Sequence, residues 1–336
     1  NAGVIELRRL IADKQQELYG TVYDPETEIV VTVGASEAIL DAMIAVLDPG
    51  DEVIIPQPCF VSYVPAVLFA GGVPVTVDTR YENQFAVTAQ EIESKITSRT
   101  KVLFLSYPSN PTGAVVPRDE MVRIAQLAQR HDLLVLSDEI YDRLVYGVEH
   151  VCVAGLPGMW ERTLHIGGFS KSYAMTGWRI GFIAGPSAIM SAVAKVHQYA
   201  IMCAPTMAQH AAMVALENGE PDVQRMVAEY NRRRQMVVKG LNGMGLPTFE
   251  PRGAFYCFPK ISAVGMSDQE FAERLLQEER VAVVPGSVFG PTGEGHVRIC
   301  YAASMEDLEE ALVRIGRFVE KHASPVHADL CSVAVV

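Results

Sequence analysis

Five segments of this 336-residue chain carry residue types that could do chemistry together. Ser109-Asn110-Pro111-Thr112-Gly113 offers an amide, and Asp138-Glu139-Ile140-Tyr141 a carboxylate with a phenol three residues on. Gly167-Gly168-Phe169-Ser170-Lys171 offers an amine, and Met175-Thr176-Gly177-Trp178-Arg179 a guanidinium eight residues beyond it. Gly34-Ala35-Ser36-Glu37 is a run opened by small residues at a helix start, where backbone N–H groups can face an anion and the helix end adds partial positive charge. Each has a plainer reading when taken singly: NPTG is a turn, Asp138 a helix cap, Ser36 an N-cap and Lys171 a solvated lysine. Together they suit an aldehyde cofactor that carries a ring nitrogen, a phenolic oxygen and a phosphate.

The elements that must position them alternate between short β-branched runs and helical-period stretches. Strands are expected at Glu28–Val33, Glu52–Ile55, Val73–Val77, Lys101–Ser106, Leu133–Ser137 and near Thr163–Ile166. Helices are expected at Val4–Leu18, Ser36–Leu47, Val61–Phe69 and Asp119–Arg130, and Thr88 with Glu91 has capping-box spacing before another. Val102-Leu103-Phe104-Leu105 and Leu133-Leu134-Val135-Leu136 are apolar on both faces, as strands of a mostly parallel sheet covered by helices must be. Such sheets bind ligands beyond the carboxyl ends of their strands, where four of the five segments fall. After a long charged helix, Asp222–Leu241, the texture changes to short strands near Ala254–Phe258, Val281–Val284 and Val297–Tyr301, with helices at Asp268–Glu279 and Met305–Lys321. The fold class is therefore α/β, with a large domain over residues 1–218, a smaller α+β domain over 219–324 and a tail at 325–336.

Composition bounds the function. Lys plus Arg number 28 against 40 for Asp plus Glu, a formal charge of −12, which speaks against a nucleic-acid or anionic-membrane surface as the main partner. The apolar runs fall short of the roughly 20 residues of a membrane span. The six cysteines include no CxxC pair and the eight histidines no HExxH, so no metal site is expected and the cysteines read as buried thiols. Gly290-Pro291-Thr292-Gly293-Glu294-Gly295 looks like a phosphate loop, but His296-Val297 stands where Lys and Ser/Thr would have to be, which excludes that reading.

The order Ser109–Gly113, Ser137–Tyr141, Phe169–Gly181 and His296–Tyr301 resembles a class I aminotransferase of the pyridoxal-phosphate fold type I superfamily, over nearly the whole chain. The resemblance implies pyridoxal 5'-phosphate as cofactor and amino-group transfer between an L-amino acid and a 2-oxo acid. It makes Lys171 the Schiff-base lysine, which must be neutral to shuttle a proton, so a depressed pKa is expected. Asp138 becomes the partner of the pyridine nitrogen, Tyr141 and Asn110 the partners of the phenolic oxygen, and Phe60 the aromatic stacked on the ring. Arg179 becomes the phosphate arginine, with Ser170 and the N–H groups of Ala35 and Ser36 completing the cup. Gly168 departs from relatives that carry a hydroxyl three residues before the lysine. Arg298 becomes the two-pronged grip on the substrate carboxylate.

The same resemblance implies a cytoplasmic homodimer. It places a tyrosine for the neighbouring subunit's phosphate, and an arm with a glycine near the substrate, ahead of Asn1. Glutamate with 2-oxoglutarate is the expected first pair, and aspartate or an aromatic amino acid the second. Ser36 stands where some aspartate-preferring relatives have a lysine, and Phe60, Phe255 and Tyr256 are candidate walls of an aromatic-tolerant pocket. A carbon–sulfur lyase or other eliminating enzyme on the same scaffold is the alternative, and a regulator with a DNA-binding module is disfavoured because no basic module of that kind is present.

Overall fold

A computed structural model describes residues 1–323, and the expected tail at 325–336 lies outside the described residues. Two sheets organise the chain. The larger has seven strands: β1 (Ile29–Thr32), β2 (Glu52–Gln57), β3 (Val73–Asp78), β4 (Thr100–Ser106), β5 (Leu134–Asp138), β6 (Thr163–Gly168) and β7 (Gly181–Ala184). Their order across the sheet is β1-β7-β6-β5-β4-β2-β3. Strands β3, β2, β4, β5 and β6 run parallel, as the two-sided apolar runs predict, whereas β7 is antiparallel to both β6 and β1. Sequence reasoning did not single out β7. Its Gly181 lies where a side chain would collide with the backbone of Gly34 and Ala35 at 2.8–2.9 Å, so the strand opens on a residue of low strand preference that close packing demands.

Helices cover this sheet: α1 (Ile5–Tyr19), α2 (Ala35–Val46), α3 (Tyr63–Phe69), α4 (Ala89–Glu93), α5 (Arg118–Arg130), α6 (Ser187–Ala200) and α7 (Thr206–Asn218). Thr88 and Glu91 form the expected capping box at α4. One apolar cluster joins Leu103, Leu105, Val135 and Ile124 on one face of the sheet, and another joins Val102, Phe104, Leu136, Ile39 and Met43 on the other. Alternate residues of the central strands thus enter different clusters, which is why these strands read as apolar throughout.

The long helix α8 (Glu220–Gly243) leads to a three-stranded sheet of β8 (Tyr256–Cys257), β9 (Val284–Pro285) and β10 (Val297–Cys300), flanked by α9 (Asp268–Glu279) and α10 (Met305–His322). Strand β10 is central and antiparallel to both neighbours. The strand expected over Val281–Val284 is reduced to Val284–Pro285, because only Val284 and Pro285 find partners on β10. Ser267 and Ser304 cap α9 and α10 through their side chains. Of the cysteines read as buried, Cys59, Cys152 and Cys257 are, Cys203 and Cys300 are exposed, and Cys331 lies outside the described residues.

Candidate active site

Strands β4, β5 and β6 end on the same edge of the large sheet, and each delivers one of the motifs there. Asn110 follows β4, Asp138 closes β5 with Tyr141 just beyond, and Lys171 follows β6. They meet in a cavity of about 330 Å³. All ten side chains or amides expected at the site line it: Ala35, Ser36, Phe60, Asn110, Asp138, Tyr141, Ser170, Lys171, Arg179 and Arg298. Ile39, Tyr63, Ile140, Thr176 and Tyr256 complete the wall. A cleft of about 430 Å³ lined by Tyr173, Met175, Trp178, Val214 and Met226 is larger, but it holds one carboxylate, Asp222, and no cation, so it offers no comparable chemistry.

At one end of the cavity, α2 begins at Ala35, one residue earlier than expected, and Gly34 is its N-cap with no side-chain hydrogen bond. Ser36 is therefore inside the first turn and does not cap the helix, which leaves its N–H and that of Ala35 for a ligand. Gly34 has φ +78°, and a Cβ there would meet the Arg179 guanidinium at 2.6 Å. Arg179 itself takes a left-handed backbone, φ 52°, which turns its side chain back over the start of α2. Helix end, guanidinium and glycine thus form a cradle for a compact anion such as phosphate. Gly168 has a steric reason: a side chain there would meet Ile140 Cδ1 at 2.8 Å.

At the other end, Asp138 is 4% exposed. Its Oδ2 accepts from the Tyr63 hydroxyl at 2.7 Å and its Oδ1 from the Ile140 N–H at 3.2 Å. Burial pushes the Asp138 carboxyl up, while those two donors pull it back. Sequence reasoning missed Tyr63; it lies on the first turn of α3, which packs against β2 and β3, and only the folded chain brings its hydroxyl to Asp138. The Tyr63 ring rests on Phe104 at 4.2 Å between centroids, and the Phe60 ring meets Tyr63 edge-on at 5.6 Å.

Between the two ends sits Lys171. Its Nζ lies 5.4 Å from the Phe255 ring centroid and 5.9 Å from that of Tyr141. Burial lowers its pKa from the ordinary lysine value, and Arg179 and Arg298 push the same way against Cys300 and Asp138. The Tyr141 and Tyr256 hydroxyls are 3.0 Å apart. Burial, with Tyr256 alongside, pushes the Tyr141 phenol far above its ordinary value, so it is neutral.

Arg298 comes from the small sheet. The guanidinium lies over the Tyr256 and Phe289 rings at 4.5 and 4.9 Å, and its Nη1 donates to Asn110 Oδ1 at 2.8 Å. Its Nε is buried without a partner among the described residues, so the guanidinium keeps one donor unused. An anion cradle, an anionic acceptor beside a flat slot, a primary amine held towards neutrality and a planar cation with a spare donor together fit pyridoxal phosphate and a carboxylate substrate. The chemistry such a set supports is proton transfer at a carbon next to a carboxylate.

The family model for aminotransferase class I and II matches residues 1–315. An aspartate aminotransferase of Pyrococcus abyssi is 48% identical over 324 residues, which cover 96% of this chain and 83% of that protein. Aromatic-amino-acid aminotransferase 2 of Thermococcus litoralis is 46% identical with the same coverage. The crystal structure of an aromatic aminotransferase from Pyrococcus horikoshii superposes with a TM-score of 0.93 at 47% identity, covering 96% of this chain and 86% of that one. The chain belongs to the class I and II aminotransferase family, with its fold type I architecture, and it is an aminotransferase. No helix among the described residues is long and apolar enough to cross a membrane.

Proposed function

We propose that this aminotransferase uses pyridoxal phosphate and moves an amino group between an L-amino acid and a 2-oxo acid, with glutamate and 2-oxoglutarate as one pair and an aspartate or aromatic pair as the other. The observation that carries the reading is the convergence of Lys171, Asp138 and Arg298 on one cavity with a cradle for phosphate at its end. When bound, the cofactor supplies an electron sink for the substrate α-carbon.

The protein's own groups do the rest. Ala35 and Ser36 N–H, Ser170 and Arg179 would hold the phosphate. Asp138, with help from Tyr63, would accept from the ring nitrogen and keep that nitrogen protonated. Tyr141 and Asn110 would hold the phenolic oxygen, and Phe60 would bound the ring. Arg298 binds the α-carboxylate in a two-pronged grip and so fixes where the α-hydrogen points. The Lys171 amine, neutral and close by, would take that proton from the α-carbon and carry it to the cofactor carbon that keeps the amino group. Of the three expected aromatic walls, Phe60 and Tyr256 line the cavity and Phe255 does not; the two support acceptance of an aromatic side chain, and no lysine stands at position 36 to favour a second carboxylate. We read the enzyme as a homodimer, supported by Tyr199, Met202 and Met207, which are 65–86% exposed.

Borohydride reduction of the cofactor-loaded protein tests the site: the pyridoxyl group should be recovered on one peptide, the one that contains Lys171. Recovery on any other lysine overturns the assignment. Glutamate should convert the bound cofactor to its amine form without release of ammonia, whereas ammonia and pyruvate in equal amounts from an S-alkylcysteine, whose thiolate can leave, would indicate elimination instead.

A further inference from the structure

We infer that Glu139, Cys152 and His165 form a buried site for one zinc-like divalent cation, behind the β5–β6 edge that carries Asp138. The sequence hides it, because the three residues stand thirteen apart in two equal steps and match no ligand spacing. The sheet brings them together. His165 pairs with Ser137 across the β5–β6 ladder, so it projects from the face opposite to that of Asp138, and Glu139 is the first residue beyond β5. Cys152 lies on the segment that returns between the two strands.

Glu139 and His165 are each 1% exposed and Cys152 is 6% exposed. His165 Nδ1 is 3.5 Å from Glu139 Oε1 and 3.8 Å from Cys152 Sγ, and all three donor atoms lie within 4.8 Å of one another. An N···O separation of 3.5 Å is too long for a good hydrogen bond. It is close to the spacing of ligands around a shared ion. Tetrahedral zinc with bonds of roughly 2.0–2.3 Å separates nitrogen from oxygen by about 3.4 Å and sulfur from nitrogen by about 3.6 Å.

The surroundings are those of a ligand set. Glu139 Oε1 accepts from Ser137 Oγ at 2.7 Å and from the Val153 N–H at 3.1 Å, while Oε2 faces His150 Nε2 at 2.5 Å, so the carboxylate is held in one orientation. Burial and the neighbouring Glu139 carboxylate push the Cys152 thiol well up, against the Gly155 and Ala154 amides that hydrogen-bond its sulfur, so Cys152 stands in the cluster as a thiol and gives up its proton only to a cation. Phe182 stacks on the His165 ring at 5.7 Å and fixes its plane. On binding, the thiol proton leaves to solvent and the dication offsets the charges of one thiolate and one carboxylate. Sulfur, imidazole and carboxylate together select zinc over magnesium or calcium. The ion would pin the segment around Cys152 to both strands beside Asp138 and take no part in amino transfer.

The test is zinc content by mass spectrometry after the cofactor-loaded protein has been equilibrated with zinc chloride and passed through gel filtration, combined with zinc X-ray absorption. The expected result is one zinc per chain with a single sulfur scatterer at about 2.3 Å, and at least a tenfold weaker affinity in Cys152→Ser and in His165→Gln. Cys257→Ser, which removes a buried thiol elsewhere, should bind as the parent does. Zinc retained by both site variants, absence of zinc from the parent, or an absorption spectrum without sulfur each overturns the proposal. The last outcome would place any zinc at the other cluster of potential ligands, Glu37, Asp41 and His197, which has no sulfur. Because the absorption spectrum is read on the parent protein, the test does not depend on whether the variants fold.

Discussion

Replacing Tyr63 by phenylalanine removes one oxygen and leaves the ring, whose contact with Phe104 at 4.2 Å supports the helix start. What is lost is the 2.7 Å hydrogen bond to Asp138 Oδ2, one of two protein donors to this buried carboxylate, together with the hydroxyl's 2.7 Å contact with Ser106 Oγ. A hydrogen bond to a buried charge is worth about 1.5–3 kcal/mol. At about 1.36 kcal/mol per unit, the Asp138 pKa should rise by one to two units. If the anion at Asp138 keeps the cofactor nitrogen protonated, the same energy enters the barrier for removal of the α-hydrogen, and the rate should fall by roughly 10- to 100-fold. The assay is the single-turnover half-reaction with glutamate at saturating substrate, followed by the cofactor's absorbance. Substrate affinity should change little, since Tyr63 is far from the Arg298 grip in role and in element. A variant that holds its cofactor, melts near the parent and reacts within twofold of the parent's rate would refute the claim that Tyr63 sustains the charge on Asp138.

Arg298→Lys should keep the cofactor's absorbance but lower kcat/KM for the amino acid by about 10- to 100-fold, because a point charge replaces a two-pronged grip worth about 1.5–3 kcal/mol; steady-state kinetics with an unchanged KM would count against it. Gly34→Ala should weaken cofactor binding by about tenfold or more, since the new methyl meets Arg179 at 2.6 Å and the φ of +78° strains alanine by about 1–3 kcal/mol; equilibrium dialysis against pyridoxal phosphate measures this, and parent-like affinity would speak against the cradle. For pH, burial raises Asp41 from an ordinary 3.8 to about 7, with Glu37 adding to the rise and His197 opposing it. The folded state therefore holds a proton that the unfolded chain gives up, and stability falls as pH rises from about 4 through 7. Asp41→Asn should accordingly raise Tm more at pH 8.5 than at pH 5, and a pH-independent difference in calorimetry would contradict that sign.

What the chain's letters reveal is uneven, and the unevenness has causes. Central strands were legible because burial on both faces leaves runs such as Val102-Leu103-Phe104-Leu105, and Thr88 announced its helix because a capping box is a local pattern. Strand β7 was not, because glycine at its start serves a contact with Gly34 that only the folded chain contains. Most of the ten expected site residues were legible for a different reason: they sit in short motifs at or just after strand ends or at a helix start, and the topology of a parallel sheet gathers such positions on one edge, whereas Arg298, inside β10, comes from the other sheet. Tyr63 carries no such marker. Its hydroxyl is functional through Asp138, 75 residues away, and nothing local distinguishes it from a core tyrosine.

The two sheets divide the work in a way that explains the hydrogen bond between them. Groups that hold the cofactor, from Ala35 to Arg179, lie at strand ends, in the loops that follow them and at the start of α2, all within the part of the chain that forms the seven-stranded sheet. Arg298 belongs to β10, a strand of four residues in a sheet of three, and its link to the other sheet at this point is Asn110 Oδ1 at 2.8 Å. Asn110 is also the residue expected at the cofactor's phenolic oxygen, so one amide spans the two binding functions. Its oxygen can serve Arg298 only while its N–H₂ faces the other way, towards that phenolic oxygen. Asn110→Asp would keep the acceptor and remove the donor. It should therefore retain the hold on Arg298, leave KM for the amino acid within a few-fold, and shift the pH at which the bound cofactor's absorbance changes, because the phenolic oxygen then faces a carboxylate in place of an amide. A spectral titration identical to the parent's, together with a raised KM, would show that Asn110 serves the arginine alone.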